Sequence, residues 1–171
     1  LSMKLLDIYV AEQTEIQMSM QSPGRITGDA AKHFRPICEK KKITLKGKYE
    51  KGKCLLEPDL FRSLIVNLMD NAAKAVGEEG HIWVSVRMTD KGCILCVEDD
   101  GPGIPTEARA HLTEAFYRVD KSRSRKQGGA GLGLTLCAKI VEMHGGALSF
   151  KKRRGGGTRV CAELRGGRYE N

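Results

Sequence analysis

Apolar residues recur along the chain with two different periods. Between Asp59 and Val76, Leu60, Leu64, Ile65, Leu68, Met69 and Ala72 return at steps of three and four, which predicts a helix with one buried stripe. The same spacing through Leu136, Ile140, Val141 and Met143 predicts a second helix. Ile26, Ala30, Phe34, Ile37, Cys38 and Lys41 predict a third, in which Pro36 is expected to kink or end the regular part. Leu1 to Glu15, with Met3, Leu6 and Val10 on one stripe, reads as the tail of an amphipathic helix too short to stand alone.

A period of two marks the strands. Ile82, Val84, Val86 and Met88 alternate with His81, Trp83, Ser85 and Arg87, and Cys93, Leu95 and Val97 alternate likewise beyond a Lys91-Gly92 turn. Ala147–Lys152 and Thr158–Leu164 are two more such runs, joined by Arg153-Arg154-Gly155-Gly156-Gly157. Ile43–Gly47 and Lys53–Leu56 are expected to be short strands around a turn, their lysines marking a solvated edge. Gln21-Ser22-Pro23-Gly24 reads as a linker between the opening fragment and the domain proper. Together these elements predict an α+β fold: a two-layer sandwich with about three helices on one face of a mixed, mainly antiparallel sheet.

Composition narrows the chemistry. With 171 residues, one domain with a real core is expected. The formal charge of +8 is compatible with nucleic acid, a membrane surface or a small polyanion. One Trp, four Tyr and four Phe, thinly spread, supply no stacking platform for bases. No apolar run reaches the length of a bilayer span, and no signal peptide is visible. The six cysteines, Cys38, Cys54, Cys93, Cys96, Cys137 and Cys161, read as small core residues in a reducing compartment. Cys93 and Cys96 have C-x-x-C spacing, but on a strand they point to opposite faces, and no second pair exists for zinc.

Three stretches carry candidate chemistry. Asn67, Asn71 and Lys74 share one face of the Asp59–Val76 helix, where amides among apolar neighbours need partners such as a hydrated divalent cation and phosphate oxygens. Asp99-Asp100-Gly101-Pro102-Gly103-Ile104-Pro105 ends an apolar strand in carboxylates and a tight turn. Gly128-Gly129-Ala130-Gly131-Leu132-Gly133-Leu134 runs into a helix start, where bare N–H groups and the helix dipole favour phosphate. No G-x-x-x-x-G-K-[ST] loop occurs, and the glycine run lacks the βαβ setting of a dinucleotide site. At the end of its strand, Asp99 is suited to accept from the exocyclic amine of adenine; guanine, with a carbonyl there, would be rejected.

In order and in detail these stretches resemble the ATP-binding catalytic domain of two-component sensor histidine kinases, within the ATPase superfamily that includes gyrase, a heat-shock chaperone and mismatch-repair proteins. Asn67–Lys74 resembles the N box, Asp99–Pro105 the first glycine box, Phe116-Tyr117-Arg118-Val119-Asp120-Lys121-Ser122 the F box and Gly129–Leu134 the second glycine box. The resemblance implies Mg²⁺ ligation by Asn71, a phosphate site lined by Asn67 and Lys74, and adenine selection by Asp99 with Thr158 in support. It implies an adenine pocket shaped by Gly101, Gly103 and Ile104, and phosphate contacts from Gly129, Gly131, Leu132, Gly133 and Leu134. Thr106–Gly128 would be a lid anchored by Phe116, from which Tyr117, Arg118 and Lys121 reach the nucleotide; Lys74 and Arg118 would act on the transferred phosphate.

The same resemblance implies the cofactors ATP and Mg²⁺, and as partners a dimerisation and phosphoacceptor domain and a response-regulator receiver domain, with no nucleic acid. Residues 1–24 would be the remnant of the dimerisation hairpin plus linker, 25–165 the catalytic domain and 166–171 a tail, in a cytoplasmic fragment of a membrane-anchored parent. The phosphoacceptor His followed by an acidic residue is absent, and His33, His81, His111 and His144 do not fit it. His144 is expected to be a helix-terminus residue favoured by the dipole. Ala75 stands where many members carry Tyr, and Asp100 is expected to weaken nucleotide binding by its charge, so that Asp100→Asn would tighten it. The rival expectation is a degenerate module that holds nucleotide as a switch without transferring phosphate.

Overall fold

The computed structural model describes residues 16–114 and 133–166. Its strands are β1 (Ser19–Gln21), β2 (Thr44–Tyr49), β3 (Cys54–Leu56), β4 (His81–Met88), β5 (Cys93–Asp99), β6 (Ala147–Lys152) and β7 (Thr158–Leu164). Its helices are α1 (Pro23–Lys40), α2 (Pro58–Val76) and α3 (Gly133–Met143), with a 3₁₀ turn at Thr106–His111. Five strands form one sheet in the order β2-β4-β5-β7-β6, antiparallel except for β2 with β4. A parallel pair needs a crossover, and α2 lies in the connection from β2 to β4. The helices cover one face of this mixed sheet, so the expected α+β sandwich is the observed architecture. Among the described residues no helix is long and apolar enough to cross a membrane.

The core lies between the layers. Phe61, Leu64, Ile65, Leu68 and Met69 of α2 and Leu136 and Ile140 of α3 pack on Ile82, Val84, Leu95 and Val97 of the sheet. Phe61 is fully buried although the expected stripe omitted it, while Leu60 packs at its margin. Helix α1 buries Ile26, Ala30, Phe34 and Cys38, but Ile37 is 48% exposed. Pro36 does not end α1. It sits on the solvated face, where water can satisfy the carbonyl one turn earlier that its missing N–H leaves unbonded.

Two expectations about local pairing are corrected. β2 and β3 do not pair: β2 is an edge strand beside β4, and β3 leaves the sheet to pair antiparallel with β1. The stretch expected to be a linker therefore belongs to regular elements. Gln21 closes β1, Ser22 accepts from the Arg25 amide as the N-cap of α1, and Pro23 occupies its first turn.

The cysteines divide. Cys38, Cys54, Cys93 and Cys137 are buried thiols, as expected. Cys96 and Cys161, expected to be unpaired, are directly opposed on β5 and β7 and form a disulfide. They lie on the sheet face turned away from the helices, and their sequence separation of 65 hides the pairing until the strand register is known.

Candidate functional site

Three elements converge at one end of the sheet: the C-terminal end of β5, the last turn of α2 and the turn between β6 and β7. Strand β5 delivers Asp99 on its core-facing side, 5% exposed. The Asp99 carboxylate accepts from the Gly101 amide at 2.9 Å and from the amide of Thr158, its register partner on β7. Burial pushes the Asp99 carboxyl above the usual carboxylate range, helped by the Asp100 charge. The two amides and the Arg153 guanidinium act in the opposite sense.

Backbone packs tightly around Asp99. A Cβ on Gly101 would stand 2.9 Å from the Ala75 carbonyl oxygen and 3.0 Å from Asp99 Oδ1, so only glycine lets the turn close on the end of α2. Gly157, at φ +104°, packs so closely on Asp99 and Asp100 that any side chain would collide with the Asp99 carbonyl. Gly103, at φ +83°, faces the Gly157 carbonyl, and Ile104 follows it, half-buried. Thr158 is buried, and the support it gives Asp99 comes from its backbone amide.

Asp100 points elsewhere. Its carboxylate accepts from the His81 amide at 2.8 Å and meets His81 Nδ1 at 2.7 Å. Slight burial raises its pKa, but the His81 amide and imidazole outweigh that and hold it below the usual range. Both of these partners belong to β4, so the Asp100 side chain is tied to that strand.

Helix α2 starts at Glu57, whose side chain accepts from the Leu60 amide at 2.6 Å, with Pro58 in the first turn. Asn67 is buried, and its amide donates to the Ser63 carbonyl at 2.8 Å. Its N–H donor is thus satisfied within the helix. Asn71 stands one turn on, half-buried. Lys74 Nζ lies 3.0 Å from Asp70 Oδ2, so its ammonium is shared with a carboxylate.

Gly133 and Leu134 open α3, and the Thr135 hydroxyl donates to the Thr113 carbonyl at 2.8 Å, joining the two sides of 115–132. Phe116, Tyr117, Arg118, Lys121, Gly129, Gly131 and Leu132 lie outside the described residues, as does Leu1–Glu15. The start of the expected lid, Thr106–His111, is a 3₁₀ turn with Ala108 buried.

Two contributors, Arg153 and Trp83, escaped the sequence reading, and a third, His144, has another role than expected. The Arg153 guanidinium lies 3.9 Å over the Trp83 ring and 3.7 Å from Glu98, and it donates to the Gly156 carbonyl, fixing the turn that presents Gly157. Trp83 also stacks on His81, ring centroids 5.7 Å apart. His144 is fully buried beyond α3: Nδ1 donates to the Ile140 carbonyl at 2.8 Å and Nε2 accepts from the Glu57 amide at 3.2 Å. Burial keeps its pKa low, so it is a neutral pin between α3 and α2 and not a dipole-stabilised cation.

A family model described as histidine kinase-, DNA gyrase B- and HSP90-like ATPase matches residues 56–168, from the end of β3 past β7. The chain belongs to that family. The ATPase family's sandwich is also the fold of solved relatives. The catalytic domain of the histidine kinase ThkA superposes with a TM-score of 0.79 at 22% identity, over 89% of this chain and 97% of that one. Full-length ShkA in complex with AMPPNP gives 0.77 at 24% identity, over 92% of this chain and 33% of its own. In sequence, the signal transduction histidine-protein kinase ArlS of Staphylococcus aureus is 41% identical over 103 residues, 60% of this chain. The matched stretch spans 23% of that relative's length. The chain thus carries the ATP-binding catalytic domain of a histidine kinase superfamily member.

Proposed function

We propose that this ATPase-family domain is the catalytic module of a sensor histidine kinase. It binds Mg-ATP and hands the γ-phosphate to a histidine on a dimerisation and phosphoacceptor domain, from which a response-regulator aspartate takes it. The residues ahead of β1 are read as the remnant of the hairpin leading from that domain, and the sandwich from β1 to Gly166 as the catalytic domain, within a parent anchored at the cytoplasmic membrane.

The observation that carries this reading is Asp99. A buried carboxylate held at a strand end by two amides, with Gly101 beside it, retains acceptor capacity for an exocyclic amine. Adenine supplies that amine and guanine does not. The α2 face fits the rest of the ligand: Mg²⁺ takes few protein oxygens and keeps water and phosphate as its other ligands. Asn71 would be its protein ligand, with Asn67 and Lys74 beside the phosphates; when bound, the ion supplies charge neutralisation at the transferring phosphoryl group. Gly129, Gly131, Leu132, Gly133 and Leu134 are assigned to the phosphates, and Tyr117, Arg118 and Lys121 to the nucleotide from the F box.

The test has two stages. Calorimetry with non-hydrolysable ATP and GTP analogues in Mg²⁺ should show heat only with the adenine compound; equal binding of both removes Asp99 as the adenine selector, and binding of neither removes the nucleotide assignment. Labelled ATP should then transfer phosphate to a separately supplied hairpin bearing a His followed by an acidic residue. Binding without labelling would leave the non-transferring switch in place of the kinase.

A further inference from the structure

The disulfide lies away from the proposed nucleotide pocket, on the face of the sheet that the helices leave open. Cys96 and Cys161 are register partners with Cα atoms 4.2 Å apart, the separation of a non-hydrogen-bonded antiparallel pair, whose side chains lie closest. On either side, Leu95 pairs with Ala162 and Val97 with Val160, and Leu95, Val97 and Ala162 are buried in the core. The ladder therefore keeps the two sulfurs opposed whether or not they are bonded.

Their surroundings differ in a chemically useful way. Cys161 is partly exposed, whereas Cys96 is 4% exposed and receives a hydrogen bond from Arg159 Nη2 at 3.7 Å. A guanidinium at a sulfur favours the thiolate, both as nucleophile and as leaving group. Lys151 is the register partner of Arg159, two residues from the partner of Cys161, and both cations are exposed. By contrast Cys54 and Cys93 touch through a thiol hydrogen bond within the core and remain thiols, although they too are neighbours.

We infer that Cys96 and Cys161 form a thiol–disulfide exchange site for low-molecular-weight disulfides that carry carboxylates. Starting from the reduced pair, the Cys161 thiolate attacks one sulfur of the small disulfide, forming a mixed disulfide and releasing one small thiolate. The Cys96 thiolate, favoured by Arg159, then attacks the Cys161 sulfur and expels the second. Two protein thiols and one small disulfide become one protein disulfide and two small thiols, so the protein is oxidised by two electrons and the reagent reduced by two. Excess small thiol reverses both steps. Lys151 and Arg159 give the entrance a positive charge that favours an anionic reagent over a cationic one.

The test uses oxidised glutathione and cationic cystamine on the whole chain, first reduced with excess dithiol under native conditions and freed of it. Expected for the unsubstituted chain are loss of two thiols without a retained adduct, faster reaction with glutathione disulfide than with cystamine at low salt, and a melting temperature about 5–10 °C higher once bonded. Cys96→Ser should retain one glutathione on Cys161, and Cys161→Ser should retain none on Cys96. Cys96→Ala repeats the trap should the serine perturb the sheet, and mass measurement of the unsubstituted chain at early times should catch the same adduct. Failure of the folded chain to be reduced would show a purely structural cross-link and overturn the inference, as would an adduct on Cys96 or a preference for cystamine. None of these readouts involves nucleotide, so they stand or fall separately from the kinase reading.

Discussion

Asp99 combines two opposed demands. Holding a charge in a buried pocket costs stability, which is why its carboxyl sits above the usual range, yet that charge is what an adenine amine requires. Asp99→Asn should therefore lower ATP-analogue affinity by about tenfold to a hundredfold while leaving the melting temperature of the free chain unchanged or higher; a matching fall in both would make Asp99 a structural residue. The pH response has a definite sign. In the interval between the ordinary carboxylate value of 3.8 and the raised value of Asp99, the folded chain holds a proton that the unfolded chain has lost. The contribution of Asp99 to stability thus falls as pH rises through that interval, while nucleotide affinity rises. Asp99 was legible in the sequence because a strand pattern runs directly into it. The role of Asp100 was not, since its partner His81 is 19 residues away on another strand.

At the scale of elements, the site depends on two joints. The turn between β6 and β7 is pressed on Asp99 by Gly157, and Gly157→Ala should cost about 2 kcal/mol or more and weaken nucleotide binding together with it, measurable by denaturant unfolding and titration of the same sample. The joint between α3 and α2 is His144. Folded, it stays neutral and accepts from Glu57; unfolded, it takes a proton near its ordinary value of 6.5. The unfolded state then binds more protons, so stability should fall as pH drops below about 6.5, by up to about 1.4 kcal/mol per pH unit until His144 itself protonates. His144→Ala should remove that slope and cost about 2–3 kcal/mol; persistence of the slope would assign it to another group. Periodicity placed α2, α3, β4 and β5 well because each has one buried face. It could not show that β3 abandons β2 for β1, since three-residue strands carry too little pattern to name a partner, and an isolated His reads the same as cap or pin.

The described residues form a sandwich in which the helices cover one face of the sheet. Its fold was legible in the sequence because the spacing of strands and helices and the order of the glycine and asparagine motifs agree. Pairing on the open face, as between Cys96 and Cys161 or between Arg153 and Trp83, depends on register, which no linear pattern displays. A chain beginning at Ser22 should keep the five-stranded sheet and melt a few degrees lower, because β1 contributes only three pairs, all to β3; loss of all cooperative unfolding would mean that β1 nucleates the fold. The placement of β1 also has a mechanical meaning. The incoming strand lies on one side of β3, and Gly166, at the end of the described chain, rests against Leu55 of the same strand. One residue beyond β3 stands Glu57, the cap of the helix that carries Asn67 and Asn71. A pull on the chain ahead of Ser19 is therefore borne first by three rungs at the foot of α2, and this corner of the domain would yield before the five-stranded sheet carries the load.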